Sequence, residues 1–77
     1  MEMKNNESIK IKFEIKQGNE TFKVGDYVEI HFKDKEKYEV IGGNILNDTN
    51  SIAISIFNEV GYKELIPYWK IEEIRHI

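Results

Sequence analysis

His31 and His76 are the only side chains in this 77-residue sequence whose ordinary pKa lies near neutrality. For acid–base work, one of them would have to meet a carboxylate or nucleophile in a cleft, and for metal binding it would need further ligands close by. Both fall on the polar parity of alternating segments, so both are expected at the surface. Cysteine is absent, which removes thiolate zinc sites, cysteine nucleophiles and disulfides together. Gly42-Gly43 is followed by neither a lysine nor a helical pattern, so it does not form a phosphate-cradling loop. Glu72 and Glu73 are neighbours on a strand pattern and point to opposite faces, which prevents paired-carboxylate chemistry. These residues define no catalytic group, metal site or cofactor, and the expectation is a protein that is not an enzyme.

Recognition chemistry is better represented. Tyr68-Trp69, with Tyr62 nearby, combines large apolar area with polar tips, the composition that dominates protein–protein contacts. Of this pair, Tyr68 is expected to face outward, while Trp69 either joins the contact surface or plugs one end of the fold. A second set is basic: Lys10, Lys12 and Lys16 on one segment and Lys33, Lys35 and Lys37 in a charged loop. If the two lie side by side they make a phosphate-binding face. Edge lysines are also the ordinary defence against strand-to-strand aggregation, and Glu14, Asp34 and Glu36 interrupt the patch.

Charge bounds the nucleic-acid reading. Eleven Lys and Arg stand against fourteen Asp and Glu, a net charge of −3. Residues 1–37 hold eight lysines and eight acids; residues 38–77 hold Lys63, Lys70 and Arg75 against six acids, so the second half carries the surplus. A strong, sequence-independent grip on phosphates calls for a basic excess that is missing here. Apolar runs are too short for a membrane span or a secretory signal, which leads to the expectation of a cytoplasmic protein. Abundant Ile, Lys and Asn fit an AT-rich genome, such as that of a low-GC Gram-positive bacterium or its phage.

Residues 1–8 lack apolar periodicity and read as a flexible tail, which leaves residues 9–77 as one domain, since a chain this short completes a single core. Residues 8–16 alternate Ile9, Ile11, Phe13 and Ile15 against Lys10, Lys12, Glu14 and Lys16, the period of a half-buried strand. Gly18-Asn19 supplies a reversal. After a Gly25-Asp26 turn, Val28, Ile30 and Phe32 alternate with Glu29, His31 and Lys33. Residues 38–41 lead into Gly42-Gly43-Asn44, where a bulge or strand bend is expected. Asn47-Asp48-Thr49-Asn50 is the clearest turn, followed by a strand carrying Ile52, Ile54 and Ile56. A further reversal at residues 58–61 precedes a short strand that ends at Pro67. Ile71, Ile74 and Ile77 then shift the spacing to three. That spacing fits either a 3₁₀ or helical turn at residues 67–71 re-entering a last strand, or a short C-terminal helix over residues 68–77.

Five or six short strands without a long helical period make an all-β meander, and closure into a barrel hides its edges best. From residue 22 to residue 77 the order of signals resembles the SH3-like and Sm-like small barrels. A Val-Gly-Asp-Tyr-Val-Glu-Ile opening strand comes first, then the Gly42-Gly43-Asn44-Ile45-Leu46 bend and the Asn-Asp-Thr-Asn turn. An Ile-rich strand follows, and Ile66-Pro67-Tyr68-Trp69-Lys70-Ile71 lies between the last two strands. The Ile-Pro-aromatic pattern is also similar to the tail of YolD-like bacterial proteins. An SH3-like resemblance implies a non-enzymatic module that binds a protein partner through Tyr62, Tyr68 and Trp69, as a small regulator or inhibitor would. An Sm-like resemblance implies an RNA- or DNA-binding protein, able to oligomerise, that uses the six lysines with Asn47 and Asn50 near the base-binding turn. Self-association through a strand edge is compatible with both.

Overall fold

A computed structural model describes residues 14–77 of the chain. The expected tail and most of the first predicted strand, with Lys10 and Lys12, lie outside the described residues. The fold is all-β: β1 (Glu14–Gln17), β2 (Glu20–Lys23), β3 (Tyr27–Asp34), β4 (Lys37–Ile45), β5 (Ala53–Asn58), β6 (Lys63–Pro67) and β7 (Ile71–His76), with one 3₁₀ turn (Tyr68–Lys70) between the last two strands. Of the two expectations for the C-terminus, the turn followed by a strand is therefore the one observed.

β1 and β2 form a hairpin, and the other five strands form an antiparallel sheet in the order β6-β5-β4-β3-β7. β6 and β7 are the two edges of that sheet, so the expected hydrogen-bonded barrel is not closed, and the hairpin raises the strand count above the expected five or six. Period-two alternation sets the core. Val28 and Ile30 on β3, Ile45 on β4, Ile54 and Ile56 on β5, Ile66 on β6 and Ile74 on β7 are buried, and Phe22 of the hairpin joins them. Burying each such side chain contributes about 1.5–3 kcal/mol. Phe22 also stacks on His76, with ring centroids 4.3 Å apart, so His76, exposed as expected, covers the core edge.

The hairpin is fastened to the sheet through a side chain. Gln17 Nε2 donates to the Ile74 carbonyl and the Ile74 N–H donates to Gln17 Oε1, both at 2.8 Å. His76 Nε2 lies 3.1 Å from the Thr21 carbonyl oxygen.

Of the bulge or strand bend expected at Gly42-Gly43, the bulge does not occur between β3 and β4, where Gly42 pairs with Glu29 and Gly43 with Val28 in unbroken register. The register shift falls instead between His31 and Phe32, where β3 meets β7. Gly43 answers a different demand: a Cβ there would stand 2.5 Å from the Phe57 carbonyl oxygen, so β5 approaches β4 more closely than any side chain permits.

Turns are held by short polar side chains. Thr49 Oγ1 accepts from the Ser55 N–H at 2.9 Å and donates to the Ser55 carbonyl at 3.2 Å, standing in for a ladder pair. Asn58 Oδ1 accepts from the N–H groups of Val60, Gly61 and Tyr62 at 2.9–3.0 Å, and its Nδ2 donates to Glu64 at 2.6 Å. Among the described residues no helix is long and apolar enough to cross a membrane.

Candidate functional site

β5 and β6 place an apolar flank in solvent. Residues 52–69 hold six of the ten exposed large apolar side chains among the described residues: Ile52, Phe57, Val60, Tyr62, Leu65 and Trp69. Trp69 is 79% exposed, Tyr62 68% and Leu65 58%. The Pro67 backbone leads the chain out of β6 into the 3₁₀ turn, which turns Tyr68 toward the core and Trp69 away from it. This corrects the expectation that Tyr68 faces outward and, of the two alternatives for Trp69, gives the exposed one. Tyr68 is the inward member, packed on the core with its hydroxyl buried and without a hydrogen-bond partner among the described residues, and burial raises its pKa above the ordinary tyrosine value. Trp69 plugs nothing; Lys70 Nζ lies 5.3 Å from its ring centroid while also reaching Asp34 Oδ1 at 3.1 Å.

Tyr62 and Trp69 flank β6 at opposite ends, about 20 Å apart by strand rise. They do not form one compact patch with Tyr68. Between them in sequence, Leu65 is the exposed apolar residue of β6 itself. Sequence reasoning did not single out Leu65, Phe57 and Ile52: Leu65, paired with Ser55, and Phe57, paired with Lys63, lie on the parity opposite the buried Ile54, Ile56 and Ile66, and Ile52 precedes β5.

Among the described residues, the basic side chains Lys16, Lys33, Lys35 and Lys37 do not converge. Lys16 is exposed on β1, beside Gln17, which is tied to Ile74 at the level of Ile30. Lys33, Lys35 and Lys37 are exposed around the β3–β4 turn, beyond Asp34. About 13 Å of strand separates the two levels. Asn50 is occupied, its Oδ1 accepting from the N–H groups of Ile52 and Ala53 at 2.8 and 2.9 Å.

The outer face of β3 and β4 carries polar chains that the sequence did not reveal. Glu29 Oε1 lies 2.9 Å from His31 Nε2, and the Tyr38 hydroxyl lies 2.6 Å from His31 Nδ1. The carboxylate accepts, so Nε2 carries a proton and, in the neutral ring, the tyrosine donates to Nδ1. His31 is thus engaged at both nitrogens, which corrects the expectation of a free surface imidazole. Carboxylate, imidazole and hydroxyl in line are the parts of a proton relay, but Tyr38 is exposed on an open sheet face, where the arrangement serves as a cross-strand brace.

Tyr27 donates to Glu59 across Gly42, and this hydrogen bond is the main cause that raises the Tyr27 pKa. Lys63 pairs with Asp48 and holds that carboxyl below its ordinary value; Glu73 beside Arg75 raises the guanidinium further. Among the described residues no group of three or more His, Asp or Glu side chains is placed to hold a metal ion. No protein-family model, curated protein or solved structure matches the chain.

Proposed function

We propose that this chain is a non-enzymatic protein-binding module of SH3-like topology that docks a protein across its β5–β6 flank, as a small regulator or inhibitor. The observation that carries this reading is the concentration of exposed apolar side chains in residues 52–69, Trp69, Tyr62 and Leu65 among them. Burying such aromatics yields large area for few rotatable bonds, and truncating a central one typically costs a complex about 2 kcal/mol or more. The SH3-like topology is supported by the five-stranded order and by the 3₁₀ turn joining β6 to β7.

The test uses immobilised full-length protein and nuclease-treated lysate. Trp69→Ala and Leu65→Ala should weaken protein capture at least about 30-fold while circular dichroism and melting stay unchanged. Undiminished capture by the folded variants contradicts the proposal. Binding that survives those variants, appears only when nucleic acid is added back and falls steeply with salt would install the Sm-like reading, with Lys10, Lys12, Lys16, Lys33, Lys35 and Lys37 as its contacts.

A further inference from the structure

The two edges of the five-stranded sheet are finished differently. On β7 the outward backbone groups of Ile74 are taken by the Gln17 amide. On β6 the Tyr62 carbonyl accepts from Asn58 N–H and the Tyr68 N–H donates to Ile52, so the even-numbered residues face β5. Antiparallel ladders alternate. Lys63, Leu65 and Pro67 therefore turn their backbone groups away from the sheet, and among the described residues β6 pairs with β5 alone. Pro67 offers a carbonyl but no N–H.

Resting on the reading of this flank as a protein-docking surface, we infer that its occupant is a second copy of the chain, joined antiparallel through β6 about a two-fold axis at Leu65. The register follows from elimination. Centring the axis on Lys63 sets lysine against lysine, and centring it on Glu64 sets carboxylate against carboxylate. Centring on Ile66 sets Leu65 against Pro67, and centring on Pro67 sets the two residues without an N–H against each other, so either register forms fewer ladder bonds than an axis at Leu65. Centring on Leu65 lets the two Leu65 residues exchange N–H and carbonyl groups, and each Lys63 N–H meets the Pro67 carbonyl of the second copy. Opposite pairs are then Leu65 with Leu65, Glu64 with Ile66 and Lys63 with Pro67, with no like charges facing.

The same axis explains why the exposed apolar groups sit at both ends of β6: it lays Trp69 of one copy beside Gly61, and so next to Val60 and Tyr62, of the other. The surface is self-complementary, as an isologous contact requires. A head-to-tail contact of β6 with β7 would have to displace Gln17 from Ile74.

A single cysteine tests the register, since the chain has none of its own. Residues opposite each other in a hydrogen-bonded antiparallel pair have Cα atoms about 5.5 Å apart, within disulfide reach. Under mild oxidation Leu65→Cys should cross-link to a covalent dimer, and Lys63→Cys, whose mate is Pro67, should not. Light scattering of the full chain should show a dimer that Leu65→Lys converts to monomer, because that substitution places two ammonium groups at the axis without touching the β5 ladder. A monomer at all concentrations, or a dimer that ignores Leu65→Lys, overturns the inference. Trp69-dependent capture of a different protein would survive that result, whereas loss of both removes the docking surface itself.

Discussion

The Gln17 side chain occupies both backbone groups of Ile74, 57 residues away in sequence, with two hydrogen bonds of 2.8 Å. One amide thus does for edge strand β7 what a neighbouring strand would do, and it fastens the β1–β2 hairpin over the core. Gln17→Leu leaves a partly buried N–H and carbonyl without partners and should lower stability by about 1–3 kcal/mol in urea unfolding. Gln17→Glu keeps the acceptor and loses the donor, and should fall between wild type and Gln17→Leu.

Tyr68 separates packing from hydrogen bonding. Its hydroxyl is buried without a partner among the described residues, so Tyr68→Phe should raise stability by about 1 kcal/mol, whereas Tyr68→Ala should lower it by about 3 kcal/mol through lost packing. In the folded state the pKa values of Tyr68 and Tyr27 are both raised. A raised pKa leaves stability intact below the unfolded tyrosine value near 10 and removes it as pH climbs toward the folded value. Thermal melts from pH 8 to 11 should therefore fall above about pH 10, with a shallower fall in Tyr68→Phe and Tyr27→Phe.

The β3–β4 turn is built from the wrong residues for its shape. Lys35 and Glu36 hold φ of 53° and 69°, the left-handed pair of a type I′ turn, where Asn-Gly is preferred. Replacing them with Asn and Gly should stabilise the fold by about 1–2 kcal/mol, read from the denaturant midpoint. An unchanged midpoint would mean that the lysine and glutamate side chains offset the backbone cost.

Gly42 and Gly43 should respond differently to the same substitution. Gly43→Ala drives a methyl into the Phe57 backbone and should cost about 3 kcal/mol. Gly42→Ala meets the Tyr27 hydroxyl at 3.0 Å, the tip of a side chain that can swing aside, and should cost about 1 kcal/mol. Equal costs for the two would contradict the close approach of β4 and β5.

Alternation and turn chemistry made most of the strands legible. Val28 and Ile30 against Glu29 and His31, the Asn47 to Asn50 reversal and the stop at Pro67 all lie where local signals place them. What local signals do not encode is which strand lies beside which. Gln17 on Ile74, Tyr38 on His31 and His76 on Phe22 depend on which strands lie side by side, so the two histidines read only as surface residues and Gln17 gave no signal. Tyr68 turned inward against expectation for a similar reason, since a 3₁₀ turn sets its direction and that of Trp69 and strand parity no longer applies. The Gly42-Gly43 pair was visible, but its cause, the neighbouring β5 backbone, was not.

Amide hydrogen exchange at Lys63 and Leu65, followed as protein concentration is raised, addresses the docking surface most directly. These two N–H groups point away from β5, so only an added strand can protect them. Docking of a second copy on β6 requires protection that grows with concentration at both amides and is lost in Leu65→Lys at the remaining Lys63 amide. Fast exchange at both, unchanged across concentrations at which light scattering reports a dimer, would place the contact elsewhere and contradict it.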